Sequence, residues 1–114
     1  MSCVDVKDLA GAFVIEVGIR QAWPFVTFAD NRPTSTREMR LYVDSVALVD
    51  GRRVDVGDDA EWMSAVAGLN GGTVTRAQVG GDGSLRIDFA DGAVLEVSGV
   101  PQAATAGEPW WFGA

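Results

Sequence analysis

The chain of 114 residues contains no histidine and one cysteine, Cys3, so the side chains that most often carry nucleophilic and metal chemistry are nearly absent. A serine or cysteine nucleophile needs an imidazole to take its proton. A tetrahedral zinc site needs four ligands, usually thiolate or imidazole. Neither can be assembled here, and no disulfide can close within the chain. Any catalysis would have to run on carboxylates. The tightest grouping of these is Asp55, Asp58, Asp59 and Glu61, whose spacing departs from that of a calcium-binding EF-hand loop. The same residues suit the start of a helix, where a side-chain oxygen caps free N–H groups and negative charge meets the positive helix end. Gly80-Gly81-Asp82-Gly83 has the glycine density of a phosphate loop, but no lysine follows it and it falls between two strands, so it reads as a hairpin turn. No catalytic residue, no metal and no cofactor is therefore expected.

Contact chemistry is better represented than catalytic chemistry. Four tryptophans occur in this short chain. Trp62 lies on the apolar face of a helical pattern and reads as core. Trp110 and Trp111 are adjacent, and neighbours in a strand point to opposite sides, so at least one of them should face outward. Exposed tryptophan beside arginine is the composition of an interface hot spot. The candidate partner-binding residues are accordingly Trp110, Trp111, Trp23, Arg37 and Arg40.

The formal charge of −7 works against adhesion to a phosphate backbone, which requires a basic footprint, so nucleic acid is not an expected partner. Charge is uneven along the chain. From Arg32 to Arg53 the local balance is +2, leaving −9 for the remainder, and such a distribution can steer a basic protein onto the acidic part.

The elements that must position these residues follow from periodicity. Sliding the chain on itself by 61 positions lays Gly11–Asp30 over Gly72–Asp91, with Phe28, Ala29 and Asp30 meeting Phe89, Ala90 and Asp91. Trp23 then falls on Ser84, so a requirement common to both copies does not explain it. In the first copy Phe13, Ile15, Val17 and Ile19 alternate along one strand, Trp23–Phe28 makes a second, and Met39, Leu41 and Val43 alternate with Arg40 and Tyr42 in a third. In the second copy Leu85, Ile87 and Phe89, then Leu95 and Val97, flank an Asp91-Gly92 turn. The Asn31–Arg37 loop is the chief asymmetry, and long loops on a rigid sheet often carry function.

Residues 45–57 read as a short hairpin or linker around Asp50-Gly51. A helix over about 59–69 follows, capped by Asp58 or Asp59, with Trp62, Val66 and Leu69 on one face and Asn70-Gly71-Gly72 ending it. A helix this short must pack on a sheet. The expected fold is α+β in a single domain over 1–114, with two related antiparallel β-meanders (11–44 and 72–98) forming a sheet, one helix packed on it, and a closing edge strand near 108–112. The longest uncharged stretch, Trp62–Thr75, is too short for a membrane helix, and no secretory leader is legible, so a cytoplasmic location is expected.

The glycine before each first strand, the Phe-Ala-Asp-Asn and Phe-Ala-Asp-Gly hairpin ends at 28–31 and 89–92, and the tryptophan-bearing C-terminal segment resemble small uncharacterised proteins of actinobacteria. That resemblance implies no activity. In size, acidity and single-domain form the chain also resembles the immunity proteins that neutralise bacterial toxins. The expected function is a non-enzymatic protein-binding module, immunity-like in masking a basic partner. The alternatives are a structural protein that forms a homodimer through its tryptophan-rich edge, and a binder of a small anionic ligand.

Overall fold

Alternating apolar and polar side chains set most of the strands. The computed structural model describes residues 6–30, 38–102, 105 and 107–113. The Asn31–Arg37 loop and Cys3 lie outside the described residues. The first meander consists of β1 (Phe13–Arg20), β2 (Trp23–Ala29) and β3 (Glu38–Val43). A hairpin of β4 (Ala47–Val49) and β5 (Arg52–Val54) follows, then helix α1 (Asp59–Val66). The second meander is β6 (Val74–Val79), β7 (Leu85–Phe89) and β8 (Val94–Val97), and β9 (Trp110–Gly113) closes the order.

The class is α+β, with the strands divided between two antiparallel sheets, one around each meander. Sheet A runs β1-β2-β3-β9 and sheet B runs β5-β4-β8-β7-β6. The segment at 45–57 is a true hairpin: Asp50 and Gly51 hold φ of 53° and 79°, the paired positive values of a type I′ turn. The Asp91-Gly92 hairpin closes over three residues rather than two. Phe89 N–H donates to Ala93 C=O, and Gly92 takes the left-handed position at φ 93°.

The strict alternation expected from Phe13 to Ile19 is broken by a β-bulge between Val14 and Glu16. Val14 turns into the core at 2% exposure, Ile15 is left outside at 41%, and the alternation then resumes with Val17 and Ile19 against the core. β6 carries a bulge at the matching place, between Val74 and Arg76. Val14 faces Phe28 in one meander and Val74 faces Phe89 in the other. First strands are thus offset by 60 residues and second strands by 61, because the turn closed by Gly80 and Ser84 is one residue longer than the turn closed by Arg20 and Trp23.

The two sheets are tied where β1 and β6 begin. Val74 donates to Ala12 C=O and accepts from Gly11 N–H, both at 2.8 Å, while Val14 donates to Gly72 C=O and accepts from Gly71 N–H. Beyond this seam the inner faces share one core, in which Val26, Phe28 and Leu41 of sheet A and Leu85, Ile87 and Leu95 of sheet B are fully buried. Each such side chain contributes about 1.5–3 kcal/mol through removal from water.

Helix α1 packs against β1 and β2 of one sheet and β5 of the other, closing the space between them. Asp58 is its cap, accepting the Glu61 N–H at 3.1 Å. The helix tightens into a 3₁₀ turn over Ala67–Leu69. Gly72 sits in a tight space, since a Cβ there would lie 3.0 Å from Leu69 O and 3.1 Å from the Phe89 ring. Trp62 is completely buried, and its indole Nε1 donates to the Gly18 carbonyl at 3.0 Å. Among the described residues no helix is long and apolar enough to cross a membrane.

Trp62 therefore fills the core and adds a second donor to the carbonyl of Gly18, which pairs with Phe25 of β2. Trp62→Ala is expected to lower unfolding stability by about 3–5 kcal/mol. Trp62→Phe, which keeps an aromatic ring but removes the indole donor to Gly18 C=O, should lose about 0.5–1.5 kcal/mol. Urea unfolding of both variants measures this, and a phenylalanine variant as stable as the parent would show that the hydrogen bond contributes nothing.

Candidate interaction site

Commitment of Val26, Phe28, Met39, Leu41 and Val43 to the core turns the alternate residues of β2 and β3 to the outer face of sheet A. That face carries Trp23, Phe25 and Thr27 on β2, Arg40 and Tyr42 on β3, and Trp111 on β9. The rings form a chain across three strands. Phe25 and Tyr42 lie 6.1 Å apart, Tyr42 stacks on Trp111 at 5.4 Å and 17°, and Trp23 meets Trp111 edge-on at 5.2 Å and 82°. Phe25 and Tyr42 are buried within this layer at 6% and 7% exposure, whereas Trp23 and Trp111 are half-buried.

Two neighbours hold the layer in place. Gly18 lies beneath the Phe25 ring, where a Cβ would come within 2.8 Å of Cζ, so only glycine allows this approach. Arg40 lies over the same ring at 4.9 Å from its centroid, donates from Nε to Thr27 Oγ1 at 3.0 Å, and reaches Glu16 at 3.4 Å. These contacts fix the guanidinium. Thr27 is fully buried beneath it, with its hydroxyl satisfied.

Beside Trp23 and Trp111 a shallow depression of about 310 Å³ is lined by Arg20, Gln21, Tyr42 and Gly113 as well. A second, of about 250 Å³, lies between the same two tryptophans and Gly107–Glu108. Both are open surface features. The cleft of about 420 Å³ between Pro24, Ser45, Val54 and Gln102 presents Arg53 together with Asp44 and Asp55, a mixed set that does not select an anion.

The structure brings Trp23, Trp111 and Arg40 to one face and sends Trp110 to the other. The Trp110 indole Nε1 donates to Gly83 C=O at 2.9 Å, and its ring meets Phe112 edge-on at 6.2 Å against the core. Trp110 is half-buried, with its indole engaged within the chain. Arg37 lies outside the described residues. Phe25, Tyr42 and Gly18 were not singled out from the sequence, although Tyr42 shares the strand parity of Arg40 and Phe25 that of Trp23.

Sheet B has a different outer face. Arg86 pairs with Asp88 at 3.1 Å and stands opposite Glu96 and Gln78, and Arg53 stands opposite Leu48. The hydrogen bond from Arg86 to Asp88 holds the guanidinium above its ordinary pKa. Nearby, the Ser84 N–H holds the Asp82 carboxyl below the usual carboxylate range. The carboxylates before α1 are occupied by backbone donors: Asp55 accepts Gly57 N–H at 2.9 Å, Asp58 caps the helix, and Glu61 accepts Asp55 N–H. Among the described residues no three of His, Cys, Asp or Glu are grouped to hold a metal ion.

Trp23 and Arg20 form the last pair of the β1–β2 hairpin, across a turn in which Gln21 and Ala22 hold φ of 52° and 71°. Both values lie in the left-handed region, which costs a side chain about 1–2 kcal/mol per residue. Gln21→Asn with Ala22→Gly is expected to raise stability by about 1 kcal/mol, read as a higher urea midpoint at unchanged slope. A lower midpoint would mean that the turn is not strained.

No curated protein and no solved structure matches this chain. A family model matches residues 6–106, a span that holds both meanders, the hairpin and α1 and stops before β9. The chain belongs to DUF6188, a family of unknown function.

Proposed function

We propose that the protein is a non-enzymatic protein-binding module and that its contact surface is the outer face of sheet A. The observation that carries this reading is the contrast between the two outer faces. Sheet B presents a lattice of opposite charges, which water solvates well, whereas sheet A presents the half-buried Trp23 and Trp111, packed on the buried Tyr42, with no second layer over them among the described residues.

The chemistry of the face supports protein rather than small-molecule contact. Tryptophan and tyrosine supply large area at low entropic cost, and Arg40 is already immobilised by Thr27, Glu16 and Phe25, so little freedom is lost on binding. The depressions beside the tryptophans are shallow, where an enclosed pocket would take up most of a small ligand. The face itself carries both signs, Arg20 and Arg40 against Glu16. The net charge of −7 resides mainly elsewhere and biases encounter toward basic partners. Kinship with actinobacterial proteins and a cytoplasmic setting belong to the same proposal.

Immobilised protein and native cell extract test the reading. Trp111→Ala or Trp23→Ala should lower partner retention by about 30-fold or more, a hot-spot loss of about 2 kcal/mol. Arg86→Ala on sheet B should retain the partner. Stability should fall by only about 0.5–1.5 kcal/mol in the tryptophan variants, the scale of one aromatic pair. Equal losses of retention from the two faces would remove the assignment.

A further inference from the structure

A sheet edge exposes unpaired N–H and C=O groups, and natural proteins cover or charge such edges. Three of the four edges here are bonded over part of their length or carry charge. The start of β1 bonds to Gly71 and Gly72, and the strand carries Glu16 and Arg20. The start of β6 bonds to Gly11 and Ala12. β5 is three residues long and carries Arg52 and Arg53, with Glu61 covering the Asp55 N–H just beyond it.

β9 is different. Trp111 stands opposite Tyr42, Gly113 opposite Arg40, and Asp44 N–H donates to Pro109 C=O, so the hydrogen-bonded positions of this ladder are 109, 111 and 113. The backbone N–H and C=O of Trp110 and Phe112 therefore point away from β3. Neither residue's backbone has a hydrogen-bond partner among the described residues. The strand reads Trp-Trp-Phe-Gly, with no charge, proline or bulge to discourage pairing.

We infer that two copies of this chain pair β9 against β9 in antiparallel fashion about a two-fold axis at Trp111, joining their A sheets into one. This rests on the reading of sheet A as the contact surface and names its partner. In that register Trp110 of each copy exchanges both backbone hydrogen bonds with Phe112 of the other, and Trp111 faces its own symmetry mate on the outer side. Each cross-strand pair is aromatic on aromatic, a favourable combination. The seam carries no charge of its own, so the repulsion that a net −7 imposes on self-association is not concentrated there. A short edge is small against the roughly 800 Å² per partner of a standard interface. Aromatic side chains, which bury about 150–250 Å² each, are the type that narrows this gap most per residue.

Light scattering across a concentration series, with the Trp111→Lys and Trp111→Glu variants, tests the inference. The parent should run at twice the mass of one chain and fall to that of one chain on dilution. Each variant alone should be monomeric, because position 111 meets itself, and an equimolar mixture of the two should recover the doubled mass. Amide exchange on the unmodified protein supplies a readout that needs no variant: Trp110 and Phe112 amides should be protected in the dimer and exposed on dilution. A parent monomeric at all concentrations overturns self-pairing, as does a dimer that persists in both variants. Protection of those amides only when extract is added assigns the edge to a foreign strand instead. In that case self-pairing fails while the docking reading stands, and loss of extract binding in Trp111→Ala separates the two.

Discussion

The period of two along a strand is the constraint on which the outer face of sheet A depends. Once Val26 and Phe28 on β2 and Met39, Leu41 and Val43 on β3 are drawn into the shared core, Phe25, Thr27, Arg40 and Tyr42 have only the opposite side available. The same rule, applied to β9, separates Trp110 from Trp111. One indole goes to the Gly83 carbonyl and the core, and the other goes to Tyr42 and Trp23. The proposed contact surface is thus the complement of the core pattern.

That division holds because the strands cannot slip. A one-residue shift would turn every core side chain of a strand outward. Bulges after Val14 and Val74 and the seam between residues 11–14 and 71–74 pin both first strands. Trp62 anchors β1 from the helix side through Gly18, the same glycine whose bare Cα lets Phe25 lie flat on the outer face. Gly18 therefore links the two layers, accepting the core tryptophan's hydrogen bond while making room for the aromatic ring.

Much of this was legible in the sequence, for reasons that differ from element to element. The helix showed itself through Trp62, Val66 and Leu69 at helical spacing and through Asp58 as a cap, both local signals. The alternation of Met39, Leu41 and Val43 with Arg40 and Tyr42 identified β3 and its two faces. The bulge at Ile15 was not legible, because one inserted residue leaves no compositional trace. The junction of the two sheets depends on backbone bonds between residues about 60 apart, which side-chain patterns do not encode. For the site, adjacency of Trp110 and Trp111 required opposite faces, but which one turned outward was fixed by the β3 register and the Gly83 carbonyl. Trp23 with Phe25, and Arg40 with Tyr42, were separately visible as strand residues. Their convergence into one layer needed the pairing of β2, β3 and β9.

The central claim is a division of labour: the indoles of Trp62 and Trp110 are engaged within the fold, and Trp23 and Trp111 form the proposed contact face. Hydrogen exchange of the indole N–H groups, followed by NMR in dilute solution, tests it most directly. Trp62 and Trp110, whose indoles donate to Gly18 and Gly83 carbonyls, should exchange slowly, while Trp23 and Trp111 should exchange fast. Slow exchange at Trp111 and Trp23, or fast exchange at Trp110, would contradict the account.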